Sequence, residues 1–397
     1  MAKGALASVA VLMQVGFAAQ PTEAQAPTTL TKLYRFQGGT DGANPKAGLV
    51  RDAAGNLYGA TESGGGTSNY GTVFKIDSTG NETVLYRFAG DSGGENPVGG
   101  LIRDAAGNLY GTTLYGGDLH CNSFGCGTVF RLDPAGNETV LHQFAGPGGS
   151  DDGAYPYAGL IRDTAGNLYG TTQGGGGQMN RGTVFKVDTT GTETVLHRFT
   201  GIPDGQNPTA GLILDSAGNL YGTTEFGGSI SGGGYGTVFK IDPTGVETVL
   251  YRFQGIPDGA YPYAGLIRDS VGNLYGATLY GGGGSGLGSG TVFKLDPQGV
   301  ESVLHHFSGG SDGEAPIGLV QDASGNLYGT TLRGGPGYGV IFEINSAGTQ
   351  TLWSFDVRID GGAPYAGLVR DATGNLYGTT NLGGGTCKCG TVFRLSP

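Results

Sequence analysis

Along this chain, apolar residues come in short bursts separated by glycine, aspartate and asparagine, and no burst keeps the three-to-four spacing of an amphipathic helix. One stretch shows the pattern: Gly100-Leu-Ile-Arg103, Asn108-Leu-Tyr-Gly-Thr-Thr113, Gly127-Thr-Val-Phe-Arg-Leu132 and Glu138-Thr-Val-Leu-His-Gln-Phe144. Each burst is rich in Val, Thr, Tyr or Phe and too short for a helix, so the stretch predicts four strands. The links between them are turns with a mechanism. Asp104-Ala-Ala-Gly-Asn108 and Asp133-Pro-Ala-Gly-Asn-Glu138 open with an Asp that can bond the backbone ahead of it, and their Gly accepts the positive φ of a tight hairpin.

The same unit recurs along the chain. Gly-Asn-Leu-Tyr-Gly begins at Gly55, Gly107, Gly166, Gly218, Gly272, Gly325 and Gly374, at gaps of 52, 59, 52, 54, 53 and 49 residues. A four-stranded antiparallel meander repeated about every 50 residues predicts an all-β seven-bladed β-propeller. The seventh unit stops after its third burst, Gly390-Thr-Val-Phe-Arg-Leu395. An orphan burst, Leu30-Thr-Lys-Leu-Tyr-Arg-Phe36, matches the fourth burst Glu82-Thr-Val-Leu-Tyr-Arg-Phe88. The N-terminal strand (30–36) is therefore expected to complete the last blade, closing the ring and removing a free edge.

Composition narrows the class. Of 397 residues 83 are Gly and 17 Pro, yet no G-X-Y register exists, which excludes collagen. With 37% hydrophobic and 10% aromatic residues there is enough to build a core, and 14% charged residues argue against coiled coil. A net charge of −11 makes nucleic acid and anionic membrane surfaces poor partners. Residues 1–26 read as a signal peptide: Lys3, a small apolar run from Gly4 to Ala19, then small residues suited to cleavage. The expected mature chain, 27–397, is one exported, monomeric domain without a membrane span.

The Gly-Asn-Leu-Tyr-Gly-Thr-Thr, Gly-Thr-Val-Phe-Lys and Glu-Thr-Val-Leu-Tyr-Arg-Phe blocks resemble the GloVer-type tandem repeat of secreted bacterial proteins, over nearly the whole mature chain. The Gly-Leu-Ile-Arg-Asp segment is more loosely similar to NHL propellers, and the Gly-Gly doublets to kelch repeats. The resemblance implies export and a bacterial origin, and it brings no particular activity.

Candidate chemistry falls on one face. The hairpins joining strands one to two and three to four are nearly uniform, whereas the loops between strands two and three and between blades vary, and variation on a rigid scaffold marks binding. Tyr155, Tyr157, Tyr261, Tyr263 and Tyr365 precede innermost strands, while Tyr115, Phe226 and Tyr280 open Gly-rich loops. Rigid aromatics of this kind suit sugar rings, with a hydroxyl for polar recognition. Asp41, Asp152, Asp204, Asp258, Asp312 and Asp360 recur in the inter-blade loops, either as turn caps or as a weak Ca²⁺ site, the one cofactor weighed. His142, His197 and His305 stand where other repeats have Tyr or Trp, which makes them packing residues, and His120 alone lies in a variable loop. Cys121 with Cys126, and Cys387 with Cys389, are close enough for local disulfides. No triad logic appears. The expected function is a non-enzymatic binding scaffold for carbohydrate or a cell-surface polymer. The alternatives are a polysaccharide lyase or glycosidase using the acidic ring, or a protein-interaction module of the cell envelope.

Overall fold

Four short strands per repeat assemble into seven separate four-stranded antiparallel sheets. The structure, a computed structural model, describes residues 29–119, 121–146, 152–229, 234–283 and 286–397. The expected signal segment and His120 lie outside them. Blades 1 to 6 are formed by residues 50–87, 102–143, 161–198, 213–252, 267–306 and 314–354, and blade 7 by 369–396 together with Thr29–Arg35. No α-helix occurs among the described residues, so none could cross a membrane.

Most innermost strands are shorter than the sequence suggests, only Ile102–Arg103 in blade 2. At some blades the backbones approach closely where they converge. A Cβ added to Gly159 would sit 2.6 Å from the carbonyl oxygen of Gly100, and one on Gly318 would sit 2.5 Å from the Cα of Gly367. Neighbouring backbones thus touch at Gly159 and Gly318, whereas a Cβ on the equivalent Gly48 would meet open space and one on Gly211 or Gly265 only ordinary contacts.

The ring closes as the orphan strand implies. Thr29–Arg35 pairs antiparallel with Thr391–Ser396, in a register running from Thr29 opposite Ser396 to Arg35 opposite Thr391. Blade 7 thus draws its outermost strand from one end of the described chain and its other three from the opposite end, leaving no blade with three strands.

Packing between blades repeats one contact. The Phe just after each outermost strand meets, edge to face, the Phe of the third strand in the next blade: Phe36 on Phe74, Phe88 on Phe130 and Phe144 on Phe185, with centroids 5.0, 5.3 and 5.0 Å apart. The other four seams repeat it. Beneath each third-strand Phe lies the last Gly of Gly-Asn-Leu-Tyr-Gly. A Cβ on Gly111 would stand 2.7 Å from the Phe130 ring, so that Gly keeps room for the ring. Edge-to-face pairs add about 0.5–1.5 kcal/mol beyond burial, and here the gain occurs at every seam.

The buried Thr at the ends of the second and third strands and the Asp of the first hairpins are hydrogen-bonded. Thr113 Oγ1 donates to the Tyr115 carbonyl, accepts from the Thr128 amide, and lies 2.8 Å from Thr128 Oγ1. In the first hairpin of blade 2, Asp104 accepts from the Asn108 backbone at 2.9 Å, from the Asn108 amide at 2.8 Å and from the Tyr110 hydroxyl at 3.1 Å. Burial alone would raise the Asp104 carboxyl, but these bonds outweigh it and hold it below its ordinary value. In four blades the Tyr of the repeat motif is also covered by an Arg from the next blade, as where Arg162 lies 5.8 Å over Tyr110.

Phe36 ties the closing strand to blade 1, so Phe36→Ala is expected to cost roughly 3–5 kcal/mol, as for other core Phe truncations. Urea unfolding reads this as a lower midpoint. An unchanged midpoint would show that the closing strand lies outside the cooperative unit.

Candidate functional site

Each loop entering an innermost strand is clamped the same way. The residue before its Pro donates its N–H to the carbonyl just ahead of the preceding blade's third strand: Asn44 to Cys389, Tyr155 to Cys126, Asn207 to Arg181 and Tyr261 to Tyr235, each at 2.8 Å. The Pro itself packs on the Gly opening that strand, so that a Cβ on Gly127 would meet Pro156 Cδ at 2.5 Å. The residue after the Pro is thereby delivered to the axis. Lys46, Val98, Tyr157, Thr209, Tyr263, Ile317 and Tyr365 occupy this position in turn, and all seven line one cavity of about 300 Å³ at the axis.

That mouth is asymmetric. Tyr157 and Tyr263 meet across the smaller Thr209, with centroids 5.8 Å apart at 69°. The Lys46 ammonium lies 5.5 Å over the Tyr365 ring and 2.8 Å from Glu62 Oε1. Burial would lower the Lys46 ammonium, but the Glu62 hydrogen bond and charge more than offset it and hold it above its ordinary value. Burial pushes the Tyr157 and Tyr263 hydroxyls up, so both stay protonated donors at neutral pH. Glu225, whose charge is felt by Tyr263, is raised by burial to about 7. Thr209 Oγ1 is buried at this mouth with no hydrogen-bond partner among the described residues.

The eight aromatics singled out in the sequence divide into three groups. Tyr157, Tyr263 and Tyr365 reach the axial mouth. Tyr115 and Tyr155 meet edge to face at 5.9 Å on the loop face of blades 2 and 3, with Phe124 6.0 Å from Tyr115 and Asn122 Nδ2 donating to the Tyr155 hydroxyl at 2.8 Å. In that loop the sulfurs of Cys121 and Cys126 lie 2.05 Å apart. Phe226, Tyr261 and Tyr280 gather over blades 4 and 5, and Tyr235 joins them 5.8 Å from Tyr261. Cys387 and Cys389 sit side by side in the corresponding loop of blade 7, with Cα atoms 5.2 Å apart.

Tyr155 and Tyr261 have φ of 60° and 57°, in the left-handed region that Asn44, Asn96 and Asn207 occupy in other blades. Asn tolerates that conformation and Tyr does so at a cost, which sets these two rings apart from ordinary packing residues. Lys46, Glu62, Thr209, Glu225 and Tyr235 are site residues the aromatic pattern alone does not reveal. Alignment of the seven repeats at the residue after Pro is the signal that finds Lys46 and Thr209.

The six inter-blade Asp turn back on their own loops. Asp41 accepts from the Gln37 amide at 2.8 Å and the Tyr34 hydroxyl at 3.0 Å, and Asp204 accepts from the Thr200 hydroxyl at 2.7 Å. Asp152 caps the Ala145 and Gly146 amides, Asp258 that of Gln254, Asp312 that of Ser308 and Asp360 that of Asp356. His142, His197 and His305 lie edge-on to the Phe two residues later, at 4.8, 4.8 and 4.7 Å, with Nε2 within 3.3 Å of the loop Asp. Among the described residues no three His, Cys, Asp or Glu side chains are grouped to hold a metal ion. Near these Asp, in the outermost strands, burial lifts Glu82, Glu193, Glu247 and Glu301 to about 7.

The profile of the Gloeobacter/Verrucomicrobia repeat matches residues 22–151, 120–316 and 283–397. Among solved structures, the chain is similar to the extracellular domain of one hybrid two-component system from B. thetaiotaomicron, with 14% identity, a TM-score of 0.59, and coverage of 94% of this chain and 41% of that one. A second such domain from the same organism gives 14% identity, a TM-score of 0.55, and coverage of 94% and 42%. At these identities the likeness is one of fold, and the chain spans about two fifths of the length of either. No curated protein matches the chain in sequence.

The raised Glu and lowered Asp carboxyls set a pH dependence. The raised Glu residues contribute stability below their unfolded value, and that contribution is lost as pH rises through about 7. The lowered hairpin Asp residues, Asp52 and Asp104 among them, contribute stability above their unfolded value and lose it as pH falls below about 4. Melting temperature is therefore expected to peak near about pH 5 and to decline towards about pH 8. Calorimetric scans across this range check it, and a melting temperature that climbs from pH 5 to pH 8 would contradict it. Glu225→Gln should leave the melting temperature unchanged at the acidic end and raise it at the alkaline end.

Proposed function

The chain belongs to the Gloeobacter/Verrucomicrobia repeat family, and we propose that it is an exported, non-enzymatic scaffold that binds carbohydrate at its axial mouth. The observation that carries this reading is the ring of equivalent positions at which three blades present Tyr157, Tyr263 and Tyr365 and a fourth presents Lys46. Protonated phenols, the Lys46–Glu62 pair and the unpartnered Thr209 hydroxyl supply donors and acceptors beside flat apolar faces, the combination a sugar ring requires. A cavity of about 300 Å³ accommodates one sugar residue, as at a chain end or branch. Export is supported by the signal-like segment 1–26 and by fold neighbours that are extracellular domains. The partner expected is a polysaccharide or another surface polymer rather than nucleic acid, given the net charge of −11.

A hydrolytic reading draws on one observation, the half-buried Glu225 carboxyl raised to about 7 in the manner of a general acid. Its counterpart would be Glu62, which is committed to Lys46 at 2.8 Å. That commitment favours binding over turnover.

Titration of the purified chain with a panel of neutral oligosaccharides tests the proposal. Replacing Tyr157, Tyr263 and Tyr365 by Ala together is expected to weaken binding by roughly tenfold or more, since each aromatic contact contributes about 0.5–1.5 kcal/mol. Retained binding would move the site elsewhere, a blank panel would turn the search to protein partners, and turnover abolished by Glu225→Gln would establish the hydrolase.

A further inference from the structure

The loop face carries a second cleft, separate from the axial mouth, whose chemistry differs from the rest of the molecule. It measures about 1210 Å³ and lies over blades 3 and 4. Arg181, Arg252, Gln206, Phe226, Tyr235 and Tyr261 line it, and no Asp or Glu is among its described lining residues. In a chain with 33 acidic and 22 basic residues, such a local excess of cations is a departure in need of a reason.

Its construction follows from the repeat. The residue just before the Gly that opens each third strand packs over an inter-blade loop, and it is Tyr, Cys or Ser in six repeats. In blade 3 it is Arg181, whose Nη1 donates to the Thr200 carbonyl while its guanidinium lies against Gly201 beside the Gln206 amide oxygen. Arg252, last in the outermost strand of blade 4, donates from Nε to the Pro203 carbonyl at 3.3 Å. Among the described residues each Arg is thus held by one donor, and a guanidinium has five. Between them stand aromatic walls: Phe226 lies 5.1 Å from Tyr261, and Phe226 and Tyr235 remain 36% and 37% exposed. Large aromatics left in water beside two anchored guanidinium groups form a site with flat apolar faces and a forked cationic end.

We propose that this cleft binds an acidic oligosaccharide, with the carboxylate or sulfate of one sugar held by Arg181 and Arg252 and neighbouring rings lying against Phe226, Tyr235 and Tyr261. The cleft is several times larger than the axial cavity, so it takes a run of residues rather than a chain end. The two sites are independent: the axial mouth recognises neutral rings, and this cleft recognises charge together with ring faces.

Calorimetric titration of the purified chain with hexameric oligogalacturonate, a sulfated oligosaccharide and a neutral hexasaccharide tests this. The double variant Arg181→Gln, Arg252→Gln is expected to weaken acidic-sugar binding roughly ten- to a hundredfold, as loss of charge-assisted hydrogen bonds does. Phe226→Ala with Tyr235→Ala should weaken it roughly fivefold or more without altering its salt dependence. The Tyr157, Tyr263 and Tyr365 variants should leave it intact, which separates failure here from failure of the axial site. Preference for the carboxylated over the sulfated ligand, or the reverse, identifies the anion. Absence of acidic-sugar binding, binding indifferent to the Arg pair, or binding indifferent to the aromatic pair would each overturn the proposal, with circular dichroism confirming that the variants are folded.

Discussion

Between every two neighbouring blades, a phenylalanine following one outermost strand lies edge-on to a phenylalanine in the next blade's third strand, and that contact needs a glycine beneath it. Phe88, Phe130 and Gly111 form one such unit, with ring centroids 5.3 Å apart. The other recurring features depend on this packing. It sets the spacing at which the Pro of each inter-blade loop reaches the preceding third strand, and hence which residue is delivered to the axis. A ring built from a repeated contact has little freedom in radius, so side chains at the axis vary without disturbing the blades.

This explains where conservatism and variety fall among the seven repeats. Hairpins on one face reuse one Asp-Gly-Asn device, with Asp104 and Asp371 making equivalent hydrogen bonds to Asn and Tyr. On the opposite face, the position after Pro takes Lys, Val, Thr, Ile or Tyr. The seven-bladed ring, its closure by the N-terminal strand and the packing role of His142, His197 and His305 were legible because each is written several times over. The inter-blade Asp were legible only in part. Their recurrence suggested either capping or a shared ion site, and the choice depends on where each carboxylate points, which a loop sequence does not state.

The axial mouth itself was half legible. Tyr157, Tyr263 and Tyr365 stood out as aromatics, but nothing in the local sequence says that Tyr157 meets Tyr263 across Thr209, or that Lys46 from blade 1 lies over Tyr365 from blade 7. Those contacts join residues separated by a hundred or more positions, and only the circular topology brings them together. The cleft beside Arg181 was hidden for a different reason. One Arg replacing Tyr, Cys or Ser looks like surface variation until the fold sets it against Gly201 and opposite Phe226. Left-handed Tyr155 and Tyr261 add a conformational sign of the same kind, visible only in backbone angles.

The central claim is that one face of the ring is structural and the other binds. Hydrogen exchange with and without a bound oligosaccharide tests it most directly, because it reads both faces in one experiment. Slower exchange is expected in the segments around Asn44, Tyr155, Asn207, Tyr261 and Ala363, whose amides clamp the loops beneath the axial mouth. No change is expected in the hairpins at Asp52–Asn56 and Asp104–Asn108. Protection centred on those hairpins, or spread evenly over both faces, would contradict it.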